Sequence, residues 1–222
     1  MTPVKICGIA RVDDAAYAAR AGAAYLGFNL WPGSPRVIAP HVARAAARAA
    51  RTIEPGVKLV GVFVDAPVVQ VLDAVAALGL DVVQLHGDEP PADGAALAAR
   101  GVLVWKAIAI AGPDDLARIA AWPAAAHVLD ARSPGKGGSG QVIDWSLAAQ
   151  AVAAGHRVVL AGGLTPTNVA TAIAQVRPFA VDVASGVERA PGDKDPLKVT
   201  QFCDAARRSV SYLRRTPSPG AP

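Results

Sequence analysis

Eight short apolar runs alternate with eight Ala-rich amphipathic stretches from one end of this chain to the other. The runs cover 4–7, 25–29, 58–64, 81–86, 102–108, 126–131, 157–162 and 179–184. Each is rich in β-branched or aromatic residues and is bounded by Gly, Pro or charged residues, the mark of a buried strand. The stretches between them carry helical periodicity at 13–21, 40–51, 67–78, 89–100, 114–121, 144–154, 165–175 and 195–209. Start signals support several: Asp114 can cap, and Thr165-Pro166 and Asp195-Pro196 place proline in a first turn.

Strict strand–helix alternation requires parallel strands joined by helical crossovers. Eight units of about 27 residues suit a closed (β/α)8 TIM barrel, an α/β fold of one domain, better than an open doubly wound sheet. No G-x-G-x-x-G follows the first run, so a dinucleotide-binding sheet lacks its fingerprint. The barrel is expected over 1–209, with 210–222 a tail that is basic, then Pro-rich and disordered at its end.

The totals narrow the partners. Apolar residues make up 52% of the chain, enough for a large core. No apolar run reaches the ~18–20 residues that cross a bilayer. Asp13 and Asp14 come early and no signal-peptide core precedes them, so a cytoplasmic protein is expected. Cys7 and Cys203 suggest neither a disulfide framework nor a zinc site. The net charge of +4 comes largely from scattered arginines such as Arg44, Arg48 and Arg51, a solvated helix face. No basic-aromatic module points to nucleic acid, whereas a mild positive balance suits a small anionic substrate.

Barrel chemistry sits at the C-terminal ends of the strands. Cys7 closes the first run. Position alone leaves it balanced between a general base, if its surroundings favour the thiolate, and a buried apolar cysteine. Asp130 closes the sixth run, where desolvation would raise its pKa and let it hold a proton for donation. The glycine-rich segment 132–140 follows it directly and reads as a lid or as a plain connector. Gly162 and Gly163 after the seventh run, with Ser185 and Gly186 after the eighth, match the paired loops that bind phosphate in such barrels. Arg36 can clamp a carboxylate through its planar fork, although a surface arginine is the commoner fate. Asp182 is an acid within the eighth run that can orient a substrate. His86 and Asp88 lack a third metal ligand at a useful spacing, so no metal site is expected.

Read in order, several blocks are together highly specific. They are Lys5-Ile6-Cys7-Gly8, Ser34-Pro35-Arg36, Gly61-Val62-Phe63-Val64, Val83-Gln84-Leu85-His86-Gly87, Gly137-Gly138-Ser139-Gly140, Leu160-Ala161-Gly162-Gly163-Leu164 and Asp182-Val183-Ala184-Ser185-Gly186-Val187-Glu188. Over residues 3–203 the chain resembles the phosphoribosylanthranilate isomerases of tryptophan biosynthesis. The resemblance implies an Amadori rearrangement of a phosphoribosylated aromatic amine. It implies Cys7 as base, Asp130 as acid, Arg36 on the anthranilate carboxylate, the two late loops on phosphate, and no cofactor. Asn29, Val37 and Ala184 depart from residues common in that family. A monomer or a homodimer is expected. Two rivals remain at this point: the histidine-pathway aminoaldose isomerases, which carry aspartate where Cys7 stands, and a barrel that has lost its chemistry.

Overall fold

The computed structural model describes residues 1–131 and 144–213; the glycine-rich segment 132–140 and the last residues of the tail, 214–222, lie outside them. The eight strands close into one parallel barrel in sequence order. They are β1 (Val4–Cys7), β2 (Tyr25–Asn29), β3 (Lys58–Phe63), β4 (Val82–Leu85), β5 (Leu103–Ile110), β6 (Ala126–Ala131), β7 (Val158–Leu160) and β8 (Ala180–Val183). The helices are α1 (Val12–Arg20), α2 (Pro40–Ile53), α3 (Val68–Leu78), α4 (Pro91–Ala98), α5 (Leu116–Ala121), α6 (Trp145–Ala153), α7 (Val169–Val176) and α8 (Pro196–Leu213). The expected TIM barrel is therefore the observed fold.

Strand alternation divides the core in two. One layer lies inside the barrel and includes Val60, Val82, Trp105, Val128 and Val159. The larger layer lies between barrel and helices and takes the other strand face, such as Val4, Ile6, Leu26 and Phe28. Trp105 plugs the barrel, edge-on to Tyr25 at 4.9 Å and to Phe179 at 6.4 Å between ring centroids. That aromatic stack lies toward the N-terminal ends of the strands, leaving the opposite mouth open for polar groups. Outside, α2 buries Ala43, Ala46, Ala47 and Ala50. This helical stripe of small side chains lets it pack closely against α1, which buries Ala15, Ala18 and Ala19.

Several local details depart from the sequence reading. Helix α7 starts at Val169, after Asn168, and not at Thr165-Pro166. Asn168 bridges the intervening turn instead: its Oδ1 accepts from Thr165 N at 2.8 Å, and its Nδ2 donates to the Gly163 carbonyl at 2.9 Å. Ahead of α5, Asp115 rather than Asp114 accepts from the Ala111 and Gly112 amides. Glu89 does not open α4; it turns inward to Lys106 Nζ at 2.8 Å and takes the amides of Asp65 and Gly87. Asp195 does cap α8, accepting from Leu197 N and Lys198 N. That helix runs to Leu213, past the boundary expected at 209. A small hairpin, β9 (Glu188–Ala190) with β10 (Asp193–Lys194), was not anticipated. It matters for the site.

Candidate active site

Cys7 and Asp130 end their strands on the same rim. Both line one cavity of about 420 Å³ at the C-terminal mouth, together with Arg36, Asp182, Ser185 and the glycines 162, 163 and 186. All eight residues selected from the sequence thus meet in one place. Asp130 is half-buried there.

The thiol is shaped by its floor. Gly27 is the β2 partner of Cys7, and a Cβ at Gly27 would lie only 2.8 Å from Cys7 Sγ. A bare glycine is what makes room for the sulfur. Burial pushes the Cys7 thiol above its usual range, and Lys5 opposes that push. The surroundings therefore do not simply favour the thiolate, as the sequence reading required of a base. Lys5 is fully buried beside it and ion-paired to Asp182 at 2.8 Å.

Arg36 is not a loose surface arginine. Its Nε donates to Glu188 Oε1 at 2.9 Å and Oε2 at 3.1 Å, and its Nη2 donates to Oε2 at 2.8 Å. Glu188 opens β9. On its far side it accepts from Lys194 Nζ of β10 at 2.7 Å and from Gly192 N at 3.1 Å. One carboxylate between two cations leaves the cluster with a net positive charge. It also fixes one edge of the guanidinium of Arg36, which lines the cavity. The Glu188 hydrogen bonds and charge, with a smaller contribution from the Cys7 sulfur, hold Arg36 above its usual pKa against the cost of burial. Burial works against the Glu188 charge, but Arg36 and Lys194 outweigh it and hold this carboxyl below its usual range.

The opposite wall is backbone. Gly162 and Gly163 adopt φ of 78° and 62°, the left-handed region that glycine reaches without strain. Among the described residues neither donates a backbone hydrogen bond. Across from them the 3-10 turn Ser185–Val187 carries Gly186, where any Cβ would run into the Leu164 carbonyl. The glycine there permits contact between the two loops.

His86 and Gln84 complete the rim, with Gln84 Nε2 and His86 Nδ1 2.9 Å apart. Among the described residues no group of three or more His, Cys, Asp or Glu is placed to hold a metal ion. Asn29 bends back to accept from Trp31 N at 3.0 Å. The residues missed in the sequence are Lys5, Glu188 and Lys194. A signal existed only for Lys5, two residues from Cys7 and so on the same strand face.

Fold and site together define a class: a (β/α)8-barrel enzyme with a thiol and a carboxyl at its mouth, a cationic clamp and a glycine-lined anion wall. The sequence profile described as N-(5'phosphoribosyl)anthranilate (PRA) isomerase matches residues 4–205. The N-(5'-phosphoribosyl)anthranilate isomerase of Geobacter sp. strain M21 is 48% identical over 209 residues, covering 94% of this chain and 99% of that protein. The crystal structure of the Thermotoga maritima enzyme superposes with a TM-score of 0.86 at 41% identity, covering 94% of this chain and all of the other. A phosphoribosylanthranilate isomerase solved with reduced 1-(o-carboxyphenylamino)-1-deoxyribulose 5-phosphate superposes at 0.83 with 38% identity, over 94% of this chain and 100% of that one. The chain belongs to the N-(5'-phosphoribosyl)anthranilate isomerase family.

Proposed function

We propose that the residues gathered at this mouth convert N-(5-phosphoribosyl)anthranilate to 1-(2-carboxyphenylamino)-1-deoxyribulose 5-phosphate in tryptophan biosynthesis, with Cys7 as base and Asp130 as acid. The observation that carries the assignment is that both groups line a single cavity whose walls offer a cation on one side and glycine backbone on the other. Arg36 holds the anthranilate carboxylate with the edge that Glu188 leaves open. Gly162, Gly163, Ser185 and Gly186 hold the phosphate. Asp182 faces the sugar between them. Two anchored ends fix the reacting carbons, which removes much of the entropic cost of the step.

The protons then balance. Asp130, protonated, gives its proton to the ring oxygen as the ring opens to a Schiff base. The Cys7 thiolate removes the proton from C2, and the electron pair moves into an enolamine. The enolamine then takes a proton at C1 from the Cys7 thiol and gives its C2 hydroxyl proton to the Asp130 carboxylate, which yields the ketone and returns both side chains to their starting forms. No atom is gained or lost, and general acid–base transfer of this kind contributes ~10²–10⁴-fold in rate. Every assigned group comes from one chain, so a monomer or a homodimer serves equally well. One member of the family, from Thermotoga maritima, is described as dimeric, with monomers generated from it. No described helix is long and apolar enough to cross a membrane, and we place the reaction in the cytoplasm.

The test is a substrate pair. Purified protein is given N-(5-phosphoribosyl)anthranilate and, separately, the histidine-pathway aminoaldose. Consumption of the first, seen as decay of its fluorescence with turnover, is expected. Strong turnover of the second, or binding of the first without consumption, overturns the reading.

A further inference from the structure

Lys5 and Cys7 stand two residues apart on β1, so both side chains enter the barrel while Val4 and Ile6 face the helices. Lys5 is completely buried. It is the register partner of Asp182 on β8, and its Nζ lies 2.8 Å from Asp182 Oδ2. Above Gly27, one and the same Cβ position would lie 2.8 Å from Cys7 Sγ and 3.2 Å from Lys5 Cε. The sulfur and the end of the lysine chain are thus neighbours over a bare glycine. Asp182 Oδ1 is buried and has no partner among the described residues. A buried ammonium is costly unless paired, and the proton transfers above make no use of this one.

We propose that Lys5 is a positioning residue for Cys7: held by Asp182, it supplies the counter-charge against which the sulfur carries its negative charge before taking the carbon-bound proton, and Asp182 limits that counter-charge. Lys5 itself stays charged and transfers no proton. The inference rests on the reading of Cys7 as base. The charged groups facing the sulfur are Lys5 from β1, Asp182 from β8, Lys194 from β10 and Arg36 from the loop after β2. Burial pushes the thiol up; among these neighbours Lys5 pulls it down most, Asp182 works against Lys5, and Lys194 adds a smaller pull downward.

The experiment follows the rate of iodoacetamide alkylation of Cys7 against pH in the substrate-free, full-length enzyme, read by peptide mass. Cys203 does not compete, since it is buried and its thiol is pushed up to about 11 by desolvation. In Lys5→Met the midpoint is expected to rise by about one pH unit or more, a loss of about tenfold or more in thiolate at neutral pH. Turnover falls in step while KM is kept. Lys5→Met/Asp182→Asn removes both charges, leaves no unpaired buried carboxylate, and places the midpoint between wild type and Lys5→Met. A midpoint in Lys5→Met equal to wild type overturns the proposal; if that variant does not fold, a wild-type midpoint in the double variant does so. Full turnover in Cys7→Ser would instead overturn the base assignment, so the two failures are told apart.

Discussion

Replacing Arg36 by lysine tests whether the guanidinium is a two-sided connector. Arg36 spends Nε and one face of Nη2 on Glu188, through three contacts of 2.8–3.1 Å. Its side chain is only 13% exposed, so these contacts and any made to substrate are weakly screened. An ammonium keeps the charge but cannot serve Glu188 and a substrate carboxylate through two fixed edges. The loss is one charge-assisted hydrogen-bonding contact to substrate, about 1.5–3 kcal/mol, which is a rise of about 10- to 150-fold in KM. Turnover at saturation should stay within a few-fold, because the interaction is made equally in ground and transition states. The fold should survive, since Glu188 keeps Lys194 at 2.7 Å. Steady-state kinetics with the fluorescent N-(5-phosphoribosyl)anthranilate reads KM and kcat. The same assay with a phosphoribosyl aniline lacking the carboxylate supplies the cycle. On that substrate wild type and Arg36→Lys should match. An unchanged KM for N-(5-phosphoribosyl)anthranilate, or an equal defect on both substrates, would refute the carboxylate contact.

Other outcomes follow from the same coordinates. Gly186→Ala forces a Cβ into the Leu164 carbonyl, so thermal unfolding should show a loss of about 1–3 kcal/mol and KM should rise through the displaced phosphate loop. Trp105→Ala empties the barrel plug, a residue 2% exposed, and chemical denaturation should register a loss of about 3–5 kcal/mol. The Glu188 carboxyl is held below its ordinary 4.5 in the folded state. The stability it contributes is therefore complete above that pH and is lost as pH falls through the lower folded value. Glu188→Gln should flatten the acid limb of stability against pH; an unchanged limb would contradict the coupling.

The barrel was legible because its signal is local. Short apolar runs and Ala-rich helical stripes repeat eight times, and each strand needed only its own few residues to be recognised. Cys7, Asp130 and the glycine turns were legible because the fold sends chemistry to strand ends. What fails in the sequence is pairing across distance. Arg36 meets Glu188 across 152 residues, and no periodicity in either segment announces it. A helical stretch was expected to open at Glu89, yet the buried Lys106 ammonium draws that side chain inward. Thr165-Pro166 had the chemistry of a helix start, but Asn168 holds the turn open for one more step. The segment 132–140, read as a lid or as a plain connector, lies outside the described residues.

The central claim is that one thiol and one carboxyl group do the proton transfers in a cavity that other residues grip. Single-turnover rates for Cys7→Ser and Asp130→Asn, each paired with calorimetric titration of the reduced product analogue, test it most directly. The account predicts rates lower by about 100-fold or more in both variants, with analogue affinity nearly unchanged. Near-normal turnover in either variant, or affinity lost in proportion to rate, would contradict it.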